Sequence, residues 1–174
     1  FNRQLVFAAI GIAIATVLMT IRLSVWRQLA PLLLIVGVCL LILVLIPGVG
    51  REVNGSRRWL PFGPVNIQVA EVVKLFSVIY VADYLQRHHG HLQGSFFKVI
   101  GPLILLGIAA ILLLLQPDMG SVVVIFTTVL AMLFLGGSRL DVFAALISTF
   151  AALFMALIWF APYRLVRLQS FMDP

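Results

Sequence analysis

The sequence predicts an all-α fold, a polytopic bundle of transmembrane helices, and two observations support it. Of the 174 residues, 63% are hydrophobic and only 10% are charged, whereas soluble domains contain roughly 25% charged residues. The apolar residues also form long continuous blocks, each long enough for a helix to cross the hydrocarbon of a bilayer. Strands of a membrane barrel would be about ten residues long with alternating polarity, so the blocks favour helices.

Six apolar blocks follow one another, and each is predicted to form one spanning helix of a single membrane domain over residues 1–174. The blocks cover residues 5–21, 29–47, 67–85, 99–115, 120–137 and 140–161. An even number of spans places both chain ends on one side of the membrane. That side also has connections 48–66 and 116–120 and the terminal segment 162–174, while 22–28, 86–98 and 136–139 lie on the other.

The charges do not orient the molecule, although cytoplasmic loops usually have the excess of arginine and lysine. Five such residues fall on the side of connection 22–28 and six on the side of 48–66. The second group indicates either an anionic ligand or anionic lipid headgroups. The net charge of +6 is spread over the loops, which is not the continuous basic stripe of a nucleic-acid-binding domain.

Connection 48–66 is the longest polar segment and is predicted to form a tight, ordered turn, because it is rich in Gly, Pro and Asn. Arg57 and Arg58, next to Trp59, could together grip a phosphate while the indole anchors at the membrane surface. The alternative is an interfacial tryptophan with two arginines that face lipid headgroups.

The third block contains ionisable residues, which are costly inside a membrane and are therefore functional candidates. Glu71 and Lys74 are three residues apart, so they can pair on one helix face and line a cavity. The alternative is a buried pair that only satisfies itself. Asp83, near the end of the block, is expected to be a solvated interfacial residue.

Asp118 directly follows Pro117 and precedes the fifth block, which predicts either an N-cap of that helix or a carboxylate at the mouth of a substrate site. Three histidines, His88, His89 and His91, lack an acidic or cysteine partner nearby, so a solvated loop is favoured over a metal site. The chain starts with Phe1 rather than methionine, and we expect it to be part of a longer protein.

Three stretches, in this order, resemble the SEDS family of membrane proteins (shape, elongation, division and sporulation). They are NGSRRWLPFGPVNIQVAEVVKL, QPDMGSVVV and YRLVRLQSFMDP. The NGSRRW form is more similar to the division members than to the elongation members. The resemblance covers the second to the seventh helix of a protein of about ten spanning helices, and implies that 48–66, 116–120 and 162–174 face the periplasm or cell exterior.

The resemblance also implies an activity, the polymerisation of lipid II into peptidoglycan glycan strands with inversion at the donor sugar. It implies a cytoplasmic-membrane protein of the division septum, with a class B penicillin-binding protein as transpeptidase partner and other division membrane proteins around it. The alternatives are a flippase for the same lipid-linked precursor, an elongation polymerase, and a scaffold for division proteins.

Residue by residue, the resemblance implies that Asp173, in the family's FxDP element, is the essential carboxylate. The residues expected to bind substrate are Arg57, Arg58, Trp59, Glu71, Lys74, Asp118, Arg164 and Arg167. One departure concerns the start of the third helix, where Gln68 to Glu71 read QVAE in place of the family's QPSE and lack its proline and serine. No protein metal site is predicted, and whether a divalent cation, Mg²⁺ or Mn²⁺, is a cofactor stays open.

Overall fold

The computed structural model of the chain describes residues 2–53, 56–62, 65–88 and 96–159. Its helices are Asn2–Thr20 (α1), Leu23–Leu45 (α2), Val69–Arg87 (α3), Phe96–Leu115 (α4), Met119–Leu135 (α5) and Leu140–Trp159 (α6). Three strands lie between α2 and α3, namely Arg51–Val53 (β1), Ser56–Phe62 (β2) and Val65–Gln68 (β3). Each predicted span forms one helix, which confirms the helical, polytopic bundle.

The main difference in helix bounds concerns α2, which begins at Leu23 rather than at residue 29. The segment RLSVWRQ was expected to be a loop because it is polar, but it contains neither Gly nor Pro. Arg and Gln are good helix formers, so the helix continues past the apolar block. Trp26 and Arg27 therefore lie within α2, close to its start.

Membrane-spanning potential differs among the helices. Within the described residues, Leu23–Leu45 is the one helix long and apolar enough to cross a bilayer, with a mean hydropathy of 2.8. Shorter apolar stretches occur at Gln4–Thr20, Val99–Leu115, Met119–Leu135 and Leu140–Ala156. Helix α3 contains four charged residues, as expected for a helix that lines a polar site.

Helices α2 to α5 pack around a common apolar core, and the most extensive contact joins α2 with α3. Helix α6 packs on α5, where the rings of Phe126 and Phe150 stack with centroids 4.9 Å apart. Helix α1 is exposed along nearly its whole length. The largest fully buried apolar side chains of the core include Leu34, Leu41, Val73, Val81, Leu106, Leu113 and Leu133.

A tight turn connects α5 with α6 and depends on a glycine in the left-handed region. Gly137 has φ +85°, and its N–H donates to the Phe134 carbonyl at 3.0 Å. The Ser138 N–H donates to the Leu133 carbonyl at 3.1 Å. This pair of bonds is the Schellman motif that ends many helices, and it turns the chain sharply into α6.

The predicted tight turn over residues 48–66 is wrong, because this segment forms an antiparallel sheet in the order β1-β2-β3. Val53 pairs with Ser56, and Phe62 pairs with Val65. Each pair of strands is therefore joined by two residues, which lie outside the described part of the chain. The first pair of residues is Asn54-Gly55, the strongest short-range signal for a hairpin.

Candidate functional site

The sheet lies at one end of the bundle, called here the sheet end, and β2 contacts both α2 and α3. Successive side chains of a strand point to opposite faces. Leu60 is only 8% exposed, so the face that it shares with Arg58 is turned toward the helices. Arg57 and Trp59 lie on the opposite face of β2, and both are half-buried. The two neighbouring arginines thus lie on opposite faces of β2, and a phosphate site that uses both of them stays a prediction.

The Arg58 guanidinium binds the turn between α4 and α5. Its Nε donates to the Gln116 carbonyl at 3.1 Å and its Nη2 donates to the Pro117 carbonyl at 2.7 Å. Its Nη1 lies 3.8 Å from Oδ1 of Asp118. Carbonyls at the C-terminal end of a helix have no partner within the helix, so Arg58 supplies donors that this turn needs.

Asp118 is the N-cap of α5, which confirms that interpretation of the sequence. Its Oδ1 accepts from the Ser121 N–H at 3.3 Å, and its Oδ2 accepts from the Ser121 hydroxyl at 2.8 Å. The residue is only 6% exposed. A carboxylate at a helix N-terminus is stabilised by the helix dipole, and the guanidinium of Arg58 adds a second favourable charge.

Gln116, which sequence reasoning did not single out, connects this turn with α2. It is 1% exposed, and its Nε2 donates to the Leu41 carbonyl at 3.2 Å. Its main-chain carbonyl accepts a hydrogen bond from Nε of Arg58. The turn of residues 116–118 therefore joins four elements: β2, α2, α4 and α5.

Glu71 and Lys74 pair with each other, as the spacing predicts. Lys74 Nζ donates to Oε1 of Glu71 at 2.7 Å. The Glu71 side chain is 60% exposed and that of Lys74 25% exposed, so the pair is not buried. Helix α3 starts at Val69 directly after β3, despite the missing proline and serine, and this places the pair at the sheet end.

The expectation that Asp83 is solvated is wrong. Its side chain is 7% exposed and lies between two arginines, with Oδ2 at 2.8 Å from Nε of Arg87 and Oδ1 at 3.6 Å from Nε of Arg27. Because α2 starts early, Arg27 comes close to the C-terminal end of α3. The cluster lies at the end of the bundle opposite the sheet.

Several predicted residues lie outside the described residues, including two of the three histidines, His89 and His91. His88 is the residue directly after α3, and its ring stacks on Tyr84 with ring centroids 4.2 Å apart. In the ranges that the structure describes, no three His, Cys, Asp or Glu side chains come together as metal ligands do. The remaining functional candidates outside the described residues are Arg164, Arg167 and Asp173.

A groove of about 460 Å³ runs between α4, α5 and α6, and the sequence did not predict it. Its wall is apolar side chains, apart from Thr149, and we call it the α4–α6 groove. It extends from the middle of the bundle to Leu114 and Met119 at the sheet end. An apolar channel therefore ends next to the turn that Arg58 and Asp118 organise.

The profile of the FtsW/RodA/SpoVE family, described as cell cycle proteins, matches residues 1–174. The chain belongs to this family. These are the SEDS proteins that the sequence motifs resemble, so that resemblance is confirmed.

Relatives and solved structures agree with the family. A protein of Nitrosococcus halophilus named probable peptidoglycan glycosyltransferase FtsW is 47% identical over 99% of the chain. A protein of Thioalkalivibrio sp. with the same name is 48% identical over 100% of the chain. The chain spans 44% of the length of each.

Two solved structures share the fold of the SEDS chain. The rod shape determining protein RodA of Thermus thermophilus superposes with a TM-score of 0.72 at 31% identity, over 84% of this chain and 48% of that one. A structure described as the structural coordination of polymerization and crosslinking by a peptidoglycan synthase complex gives a TM-score of 0.81 at 30% identity. This second match covers 99% of the chain and 51% of the other.

Proposed function

We propose that the full-length protein is a peptidoglycan glycosyltransferase that polymerises lipid II, and that this chain supplies the diphosphate-binding part of its site. One observation carries the proposal: charged side chains of β2, α3 and the 116–118 turn lie at the sheet end, which the apolar α4–α6 groove also reaches at Leu114 and Met119. A lipid-linked diphosphate needs both cations and an apolar channel, and an ordinary helix bundle needs neither.

The reaction joins two sugars. The acceptor 4-hydroxyl attacks the anomeric carbon of the donor, a C–O bond forms, and the bond from that carbon to undecaprenyl diphosphate breaks. The hydroxyl proton passes to a general base, and the leaving diphosphate gains negative charge that cations stabilise. We assign the base to Asp173, on the residue match within the family, and the cationic support to Arg57, Lys74, Arg164 and Arg167.

The geometry supports different roles for the two arginines of β2. Arg58 holds the 116–118 turn through two carbonyls and Asp118, so it positions the N-terminus of α5. Arg57 lies on the other face of the strand next to Trp59, and we assign it the contact with substrate phosphate. Asp118 contributes through Arg58 and Ser121, and Glu71 orients Lys74 through the 2.7 Å bond.

We further propose that the sheet end faces outward from the cytoplasmic membrane at the division septum. The relatives that support the division role are named FtsW. The match to a peptidoglycan synthase complex supports a class B penicillin-binding protein as transpeptidase partner, together with other division membrane proteins and membrane lipids. In the elongation alternative the chemistry is the same, and the partner differs.

A divalent cation stays a prediction. Asp118 and Glu71, two carboxylates at the sheet end, do not fit a metal site, because Asp118 is bound to Ser121 and Arg58 and Glu71 is bound to Lys74. A cation would need another carboxylate, such as Asp173, or the diphosphate itself as ligand. If Mg²⁺ or Mn²⁺ is required, EDTA should abolish glycan synthesis and the added metal should restore it.

The test is glycan synthesis from purified lipid II by the full-length protein with its transpeptidase partner. We expect Asp173→Ala to abolish glycan chains while lipid II binding persists. Asp141→Ala is the control, because this exposed carboxylate pairs with Arg139 at the opposite end of the bundle. Glycan synthesis by Asp173→Ala at the wild-type rate would contradict the proposal, and transport of lipid II without any polymerisation would favour the flippase.

A further inference from the structure

A second polar cluster lies at the end of the bundle opposite the sheet, and the proposed reaction does not use it. Asp83 is its centre, with Arg87 at 2.8 Å and Arg27 at 3.6 Å. Nη2 of Arg87 also donates to the Arg27 carbonyl at 3.2 Å. Two guanidinium groups thus share one carboxylate, and the cluster has a positive charge in excess.

The burial of the three side chains is unequal. Asp83 is 7% exposed, whereas Arg27 is 46% and Arg87 53% exposed. The buried carboxylate therefore pairs with the inner side of both guanidinium groups, while much of the surface of the two arginines remains accessible. Each guanidinium has five N–H donors, and a carboxylate that touches each through one Nε does not use them all.

A groove begins at this cluster and runs between α1 and α3, and we call it the α1–α3 groove. Its volume is about 770 Å³, within the range of roughly 300–1,000 Å³ that is usual for sites of small ligands. Arg27, Asp83 and Gln86 form the polar part of its wall. The rest is apolar and includes Leu18, Trp26, Leu75, Val78 and Ile79.

We propose that the α1–α3 groove binds an anionic phospholipid, whose phosphate lies at Arg27 and Arg87 and whose acyl chain lies along the apolar wall. Basic pockets between transmembrane helices are known to bind anionic headgroups, and guanidinium groups bind phosphate oxygens in bidentate fashion. Trp26 lies beside Arg27, as aromatic side chains do at headgroup level. In the proposed orientation this end faces the cytoplasm, but the binding does not depend on glycosyltransferase activity.

A second arginine–carboxylate pair at the same end shows what distinguishes the site. Arg139 and Asp141 pair one to one, at 2.6 Å, with 58% and 61% of their side chains exposed. Neither residue lines the α1–α3 groove. This pair lacks both the excess charge and the apolar channel, so Arg139 is a matched control.

The experiment is native mass spectrometry of the full-length protein in detergent, supplied with equal amounts of phosphatidylglycerol and phosphatidylcholine of the same chain length. We expect the wild type to retain phosphatidylglycerol preferentially. Arg27→Gln and Arg87→Gln should each lower that preference about fivefold, and Arg139→Gln should not change it. Ala82→Phe, which adds a ring to the wall of the groove, should reduce the binding of both lipids.

Asp83→Asn separates headgroup binding from folding. It removes the carboxylate and leaves both arginines, so phosphatidylglycerol binding should persist or increase even if the protein unfolds at a lower temperature. Equal retention of both lipids by the wild type would overturn the proposal. It would also be overturned if Arg139→Gln lowered the preference for phosphatidylglycerol as much as Arg27→Gln and Arg87→Gln do. The absence of bound lipid, as expected if another segment of the full-length chain fills the groove, would also overturn it.

Discussion

Arg58 and Asp118 are separated by 60 positions in the chain, yet Nη1 of the arginine lies 3.8 Å from Oδ1 of the aspartate. That distance is long for an ion pair, and the shorter contacts of Arg58 are those with the Gln116 and Pro117 carbonyls, at 3.1 and 2.7 Å. The guanidinium therefore acts mainly as a donor to the end of α4. Asp118 adds charge complementarity to a contact that hydrogen bonds already determine.

Arg58→Ala should destabilise the full-length protein, because it removes the donor of two carbonyls and the cation next to a nearly buried carboxylate. Hydrogen bonds that involve a charged group contribute about 1.5–3 kcal/mol each, so we expect a loss of about 2 kcal/mol or more. Arg58→Lys should restore little of the lost stability, because one ammonium group cannot reproduce the two planar N–H donors of the guanidinium. Thermal unfolding in detergent measures the effect.

The control for Arg58 is Arg57→Ala, on the opposite face of the same strand. We expect Arg57→Ala to weaken lipid II binding and to change the unfolding temperature less than Arg58→Ala does. Equal losses of stability in the two variants would contradict the assignment of Arg58 as the residue that holds the turn.

Asp118→Asn tests whether the charge or the cap of this residue matters. Asparagine caps helices about as well as aspartate, whereas replacing a cap by alanine costs about 0.5–2 kcal/mol. We therefore expect Asp118→Asn to retain most of the stability and Asp118→Ala to lose it. If Asp118 acts only as a cap that Arg58 supports, glycan synthesis should follow stability across both variants. Loss of synthesis in a stable Asp118→Asn protein would indicate a direct role for the charge.

The pair of Glu71 and Lys74 should matter more for activity than for stability. Exposed pairs contribute about 0–1 kcal/mol, and Glu71 is 60% exposed. We expect Glu71→Gln to change the unfolding temperature little and to lower glycan synthesis, because Lys74 loses the partner that orients it. The swap Glu71→Lys with Lys74→Glu keeps the pair and moves the cation by one turn. Full activity in the swapped protein would show that the cation has no fixed position in the site.

The helices were predictable because their signal is local: each corresponds to a block of the sequence in which apolar residues predominate. The Asp118 cap and the Glu71 to Lys74 pair were predictable for the same reason, since each depends on residues three positions apart. The early start of α2 was not predictable from the sequence. The polar residues between Arg22 and Gln28 indicate where the chain leaves the membrane, and they do not indicate where the helix begins.

The sheet and the buried state of Asp83 show two different reasons for failure. The connection contains the hairpin signal Asn54-Gly55, but its overall content of proline and glycine led to the prediction of a turn. Asp83 could not be assigned from the sequence, because its burial depends on Arg27, which comes close only when α2 and α3 pack. The contacts of Arg58 likewise join segments that are almost sixty residues apart.

Gly50 offers a test of how the sheet is attached to the bundle. A Cβ atom at this position would lie 2.1 Å from the Val44 carbonyl oxygen, a backbone atom near the end of α2 that cannot rotate away. Gly50→Ala therefore requires the chain before β1 to shift, and overpacking of this kind typically costs about 1–3 kcal/mol. The shift would move β2 and loosen the contacts of Arg58 with the 116–118 turn, so glycan synthesis should fall together with stability.

Gly11→Ala is the matched substitution, because nothing lies within 4 Å of a Cβ atom there. In the middle of α1, alanine should stabilise the helix by up to about 1 kcal/mol. The two variants should be measured side by side. For Gly50→Ala, both the unfolding temperature and the rate of glycan synthesis should decrease. For Gly11→Ala, both should remain unchanged or increase. If both variants kept the wild-type stability and activity, the position of β2 would not depend on the contact between Gly50 and the Val44 carbonyl.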